Sequence, residues 1–192
     1  MRGPSAGPQA SGLLGPATLA ASFLKDFQRV DALIWAAGIV RDAPLLTLKE
    51  EDLRAVLNTD ARAVFLLLKA FSRQFIKQKS GCVIALSSHA GLSGRAGGTA
   101  YAMAQSALVA LLKSAAREFG PLGVRVNAVL PPFVPDSGMG KLASPEFAAA
   151  AKAKRVLKPD TDGARAVAQM VISLLENPAV SGQVVAADSR LL

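Results

Sequence analysis

The sequence predicts an α/β fold, a parallel doubly wound (Rossmann-like) sheet with helices on both faces, and three observations carry that prediction. Short apolar runs at 31–35, 82–87, 124–130 and 183–187 alternate with longer stretches of helical periodicity. The connections between successive runs are long enough for crossover helices, which parallel strands require. Finally, 192 residues make one domain by the usual ~100–200-residue measure, and 51% apolar residues can form a full core.

The elements follow in order. Residues 1–15 hold no strand pattern and read as a flexible leader, leaving 16–192 as a single domain. Pro16 suits a first helical turn, and Leu19, Phe23, Leu24 and Phe27 recur at helical spacing. Asp31 to Trp35 is a short buried strand running into Ala36-Ala37-Gly38. Thr47 followed by Glu50 has the form of a capping box, opening a long helix whose apolar face runs from Leu53 through Phe75 to about Gln78. Ser80-Gly81 ends it. The strand at 82–87 leads into a loop containing Gly91, Gly94, Gly97 and Gly98, then a helix from about Ala100 to Phe119 closed by Gly120-Pro121. The strand from Val124 to Leu130 stops at Pro131-Pro132; a looser Ala- and Lys-rich segment, a helix near 161–176 and a last strand complete the chain. With only four strands and none in the leader, the sheet reads as N-terminally truncated, which leaves an apolar edge open at Trp35.

Composition excludes several functions. The net charge of +8 favours anionic partners, but the basic residues are scattered and there is a single tyrosine, so no nucleic-acid platform is expected. One cysteine, Cys82, cannot form an intrachain disulfide and reads as a buried small hydrophobe in a cytoplasmic protein. His89 is the only histidine, so no metal site is expected. No apolar stretch approaches the ~20 residues of a membrane helix.

Certain residues at the strand ends stand in a familiar order: Ala36-Ala37-Gly38, Asn58 in the following helix, Ser87-Ser88, Tyr101 thirteen residues beyond Ser88, Asn127 to Pro131, and Ser181-Gly182-Gln183. In this the chain resembles the short-chain dehydrogenase/reductase family, and within it the 3-oxoacyl-acyl-carrier-protein reductase type. The resemblance implies an oxidoreductase using NADP or NAD to reduce a carbonyl such as a 3-oxoacyl thioester. Tyr101 would exchange a proton with the carbonyl oxygen, Ser88 would hold that oxygen, and Asn58 would hold a proton-passing water. Ala36, Ala37, Gly38, Gln105, Pro131 and Ser137 would meet the cofactor. The two long helices would assemble a homo- or hetero-oligomer, and Arg125, Lys141, Lys152, Lys154 and Arg155 are candidates for meeting a carrier protein.

The chain also departs from that pattern. No Gly-rich turn follows a strand near the N-terminus, so nothing there would cradle a pyrophosphate. Gln105 stands where the family has the lysine of its Tyr-x-x-x-Lys pair. A cation there is worth about 4 kcal/mol at ~4 Å and an effective dielectric of ~20, which lowers a phenol of pKa ~10 by roughly three units. Gln105 supplies no charge, so alcohol oxidation should suffer more than carbonyl reduction unless Lys113, Arg95 or His89 takes the cation's place. Trp35, Pro132 and Asp136 also replace residues of the usual pattern. The alternative expectation is therefore a non-catalytic subunit assembling with an active relative, or a truncated gene product.

Overall fold

The computed structural model describes residues 15–157 and 163–190. The leader expected over 1–15 lies outside the described residues except for Gly15. Four strands, β1 (Ala32–Trp35), β2 (Gly81–Leu86), β3 (Val124–Leu130) and β4 (Val184–Ala186), pair in parallel in the order β1-β2-β3-β4. Their expected positions hold to within a residue at most ends, because each is a short apolar run bounded by glycine, serine or proline. Helices α1 (Pro16–Asp26), α2 (Glu50–Leu57), α3 (Ala63–Gln78), α4 (Ala90–Ser93), α5 (Thr99–Phe119), α6 (Pro145–Ala153) and α7 (Gly163–Glu176) supply the remainder.

The sheet is covered on both faces. On one face, Ala20 of α1, Val64, Leu67, Leu68, Phe71 and Phe75 of α3, and Leu108 and Leu112 of α5 pack on Val83, Ala85, Val124, Val126 and Ala128. On the other, Val167, Val171 and Leu174 of α7 cover Cys82, Ile84 and Val129. Because β2 is buried on both sides it reads as a continuous apolar run, whereas β3, equally central, interrupts its run with Arg125 and Asn127. β1 pairs only with β2 among the described residues. Its Ile34 sits opposite Ile84 in register and, at 47% exposed, is left uncovered on the α7 face.

Local details correct several expectations. Thr47 does not cap α2: its hydroxyl donates to the Pro44 carbonyl, Lys49 occupies the N-cap position without a side-chain cap, and Glu50, Glu51 and Asp52 load the first turn with negative charge instead. The long helix expected up to Gln78 is interrupted by a π-helical turn, Asn58–Arg62, where the Ala63 N–H reaches back five residues to the Asn58 carbonyl. It ends at Lys79, which takes the left-handed conformation (φ 52°). Gly81 follows at φ +154°, where a Cβ would lie 2.5 Å from the Phe75 ring.

Arg125 is not available to a carrier protein, since its guanidinium donates to the carbonyls of Leu174, Leu175 and Val180 and closes the end of α7. Asn127 is likewise structural. Its amide donates to the Val180 carbonyl and its oxygen accepts the Gln183 N–H, joining β3 to the segment that enters β4.

Candidate functional site

Since all four strands run the same way, their carboxyl ends open onto one side of the sheet, where ligands gather in doubly wound folds. Residues 36–38 leave β1 there, Ser87-Ser88 leave β2 and Pro131 leaves β3. Tyr101 is in the first turn of α5, which the Gly-rich loop returns to the same side. That loop is held in place: Ala43 N–H donates to the Gly97 carbonyl at 2.9 Å, and Gly94 and Gly97 take positive φ values of 67° and 71°.

Ser88 and Tyr101 meet. The Ser88 hydroxyl lies close enough to the phenol to favour its ionised form, and Ser88 Oγ accepts the Ala90 N–H at 3.2 Å, which holds its rotamer. Burial raises the Tyr101 pKa above the usual phenol value; the Ser88 hydroxyl and Arg95 oppose that rise, and the carboxylates of Asp60 and Asp42 add to it. The Arg95 guanidinium lies 5.8 Å from the Tyr101 ring centroid and 5.2 Å from that of Phe147. It is paired with Asp42 at 2.5 Å, so much of its charge is answered locally.

Asn58 does not join them. It is exposed where α2 gives way to the π-helical turn. The polar side chain that this helix sends inward is Asp60, which is 0% exposed. Asp60 Oδ1 accepts the Ile39 N–H at 2.9 Å, and Oδ2 accepts from Gln105 Nε2 at 3.0 Å. A Cβ on Gly38 would sit 3.2 Å from Oδ2, so glycine gives the loop after β1 its close approach to the carboxylate. Burial pushes the Asp60 pKa up to about 6, against the pull of those two hydrogen bonds. The sequence carried a signal for this residue: Asp60 lies four positions after Val56 and four before Val64, on the apolar stripe itself.

Gln105 is buried at 4% exposure, one turn beyond Tyr101, and its Oε1 has no partner. Gly91 makes the neighbouring approach possible, because a Cβ there would lie 2.8 Å from the Gln105 backbone carbon. Gly91→Val is expected to push α4 off α5 and separate Ser88 from Tyr101. The check is a fall in melting temperature together with a loss of activity beyond that explained by the unfolded fraction.

The other expected site residues are dispersed. Ala36 and Ala37 are exposed, and the half-buried Pro131 uses its carbonyl to accept from Arg190 at 2.7 Å. Ser137 is exposed, and its hydroxyl closes its own turn through the Val134 carbonyl and the Gly140 N–H. His89 is paired with Asp188 at 3.4 Å, while burial and the nearby Arg190 lower its pKa. Lys113 is exposed, two turns beyond Gln105. Of the three groups considered as a replacement cation, only Arg95 lies against Tyr101.

A parallel sheet covered on both faces, with a serine and a tyrosine meeting at its strand ends, defines a Rossmann-like α/β protein. The chain belongs to the short-chain dehydrogenase/reductase family: residues 16–189 match the family model described as enoyl-(acyl carrier protein) reductase. It is 34% identical over 171 residues to the 3-oxoacyl-(acyl-carrier-protein) reductase of Thermotoga maritima, covering 88% of this chain and 69% of that protein. With the enzyme of the same name from Synechocystis it shares 42% identity over 111 residues, 58% of this chain and 45% of that protein, so the match spans less than half of that relative. Among solved structures, an NAD+-bound xylitol dehydrogenase superimposes with a TM-score of 0.82 at 25% identity, covering 91% of this chain and 74% of the other. A sorbitol-6-phosphate 2-dehydrogenase from Erwinia amylovora gives 0.81 at 22% identity, covering 89% and 72%, which speaks for the fold. No helix among the described residues is long and apolar enough to cross a membrane.

Proposed function

We propose that this chain acts as a cytoplasmic carbonyl reductase on a 3-oxoacyl thioester or a similar 3-oxo compound, with a nicotinamide dinucleotide as reductant. The observation that carries the reading is the contact between Ser88 and Tyr101 at the carboxyl end of β2. In it, the Ser88 hydroxyl, positioned by the Ala90 N–H, donates to the substrate oxygen as charge develops there. Tyr101 gives its phenolic proton to that oxygen. The similarity to 3-oxoacyl-(acyl-carrier-protein) reductases supports the choice of substrate class.

The described residues fit the reacting end of the cofactor and not its diphosphate. The Ser88–Tyr101 pair, the backbone of 36–38 and Pro131 border the place where a nicotinamide ribose would lie. Among the described residues, however, no strand followed by a Gly-rich turn and a helix precedes β1 to take a pyrophosphate. When bound, the nicotinamide supplies the hydride. Whether NADH or NADPH is used depends on contacts at the far end of the dinucleotide. The proposal includes assembly through the outer faces of α3 and α5, where Phe65, Ile76 and Met103 are exposed.

The test is direct. The purified chain is titrated with NADH and NADPH by fluorescence and assayed for acetoacetyl-thioester reduction. Saturable binding with turnover supports the reading. Failure to bind either dinucleotide, with no turnover, overturns it for the chain by itself; recovery of activity on adding a longer relative would favour the subunit alternative.

A further inference from the structure

We infer that Asp60 is a positioning residue for the chemistry of Tyr101: a carboxylate buried behind the phenol keeps it in its proton-donating form. The inference deepens the proposed function, but its physical core can be tested without substrate or cofactor.

The geometry begins with the π-helical turn, within which Asp60 faces the buried side of the helix. There the carboxylate is fixed by the Ile39 N–H from the loop after β1 and by Gln105 Nε2 from α5. Gln105 lies one turn from Tyr101, and residues four apart share a helix face. A neutral amide thus stands beside the phenol, and directly behind the amide stands an anion. A like charge nearby disfavours ionisation, and low-dielectric surroundings strengthen the effect.

The charged and titratable groups facing Tyr101 are few. Arg95, from the Gly-rich loop, favours the tyrosinate, but its partner Asp42, from the loop after β1, opposes it. Asp60 also opposes it, from the helix side, and the groups that donate to its carboxylate, the Ile39 N–H and the Gln105 amide, are neutral. From β2 the phenol receives only the neutral Ser88 hydroxyl, and from α5 the neutral Gln105. The balance therefore holds the proton on Tyr101. During reduction that proton moves to the substrate oxygen as hydride from the nicotinamide adds to the carbonyl carbon, leaving an alcohol and a tyrosinate that solvent reprotonates. Asp60 touches none of the reacting atoms and acts through the phenol's ionisation.

The chain has a single tyrosine, which makes the test specific. The tyrosinate is titrated by ultraviolet absorbance, and by fluorine NMR after incorporation of a ring-fluorinated tyrosine, whose lower ionisation range falls where circular dichroism shows the fold intact. Asp60→Asn is expected to titrate about one pH unit below the parent, and Gln105→Lys lower still. Asp60→Glu, which restores the charge, should return the titration toward the parent. Asp60→Ser serves as a second neutral variant should Asn not fold. If a folded neutral variant titrates as the parent does, the inference is overturned, whatever the reductase assay shows. An absence of reductase activity with the titration shifted as expected would overturn the proposed function alone. With activity present, the alkaline fall of kcat/KM for reduction should move down in Asp60→Asn by the same amount.

Discussion

Tyr101→Phe is expected to lower carbonyl reduction by about 10²–10⁴-fold, the range typical of losing a positioned acid. Only the hydroxyl is removed. The ring keeps its place against Val56, Ala100 and Ala104, the small cluster where α2 meets α5. The hydroxyl's interaction with Ser88 is the one lost, so stability should change by no more than about 1 kcal/mol. The measurement pairs a thioester-reduction assay with thermal unfolding of the same preparation. A phenylalanine variant retaining most of the parent's turnover would remove Tyr101 from the chemistry, because this chain has no second tyrosine to substitute for it.

The second large effect is on stability. Asp60 has its folded-state pKa raised to about 6, against an ordinary value near 3.8. The native state therefore binds its proton more tightly than the unfolded chain does. The stability this confers is fully present below the unfolded value and is lost as pH rises through the folded one. Between about pH 4 and pH 7 that loss amounts to about 3 kcal/mol, from a shift of roughly two units at 1.36 kcal/mol each. Asp60→Asn abolishes the ionisation. Its Oδ1 can still accept the Ile39 N–H, and its amide can meet Gln105 Oε1, which has no partner in the parent, once the glutamine carboxamide turns over. The variant is expected to be the more stable protein at neutral pH and to lack the parent's decline between pH 4 and 7. Denaturant unfolding across that range is the check, and parallel curves for the two proteins would refute the expectation.

Much of the fold was legible because its strands are short apolar runs with punctuated ends. Val124–Leu130 was placed to the residue, since Gly123 at φ +79° and Pro131 bound it on either side. The pairing of Ser88 with Tyr101 was legible from order and spacing, both being anchored by elements whose ends the sequence marks. Asn58 was misplaced for a physical reason: choosing it rested on residue type and order, whereas orientation in a helix depends on register, and two positions beyond the buried Val56 is the opposite face. The apolar stripe through Val56 and Val64 would have singled out Asp60, at the cost of placing a carboxylate in a core. Thr47 matched a capping pattern by spacing, yet its hydroxyl was taken by the Pro44 carbonyl. The Arg125 guanidinium was read as surface charge because no local pattern reveals that a helix will end above it.

The widened turn between α2 and α3 lets the two segments be indexed separately, like gears on one shaft with a slipping coupling. The turn carries Asp60 into the interior, and α3 seats Phe71 and Phe75 against the sheet. Deleting one residue of this turn would restore regular winding and leave α2 and α3 in the same relative orientation, so the change falls on the turn itself. The residues between Leu57 and Ala63 would be re-phased, and Asp60 would lose the place from which it meets the Ile39 N–H and Gln105. A single deletion here is therefore expected to unseat the acid and spare the phenylalanines.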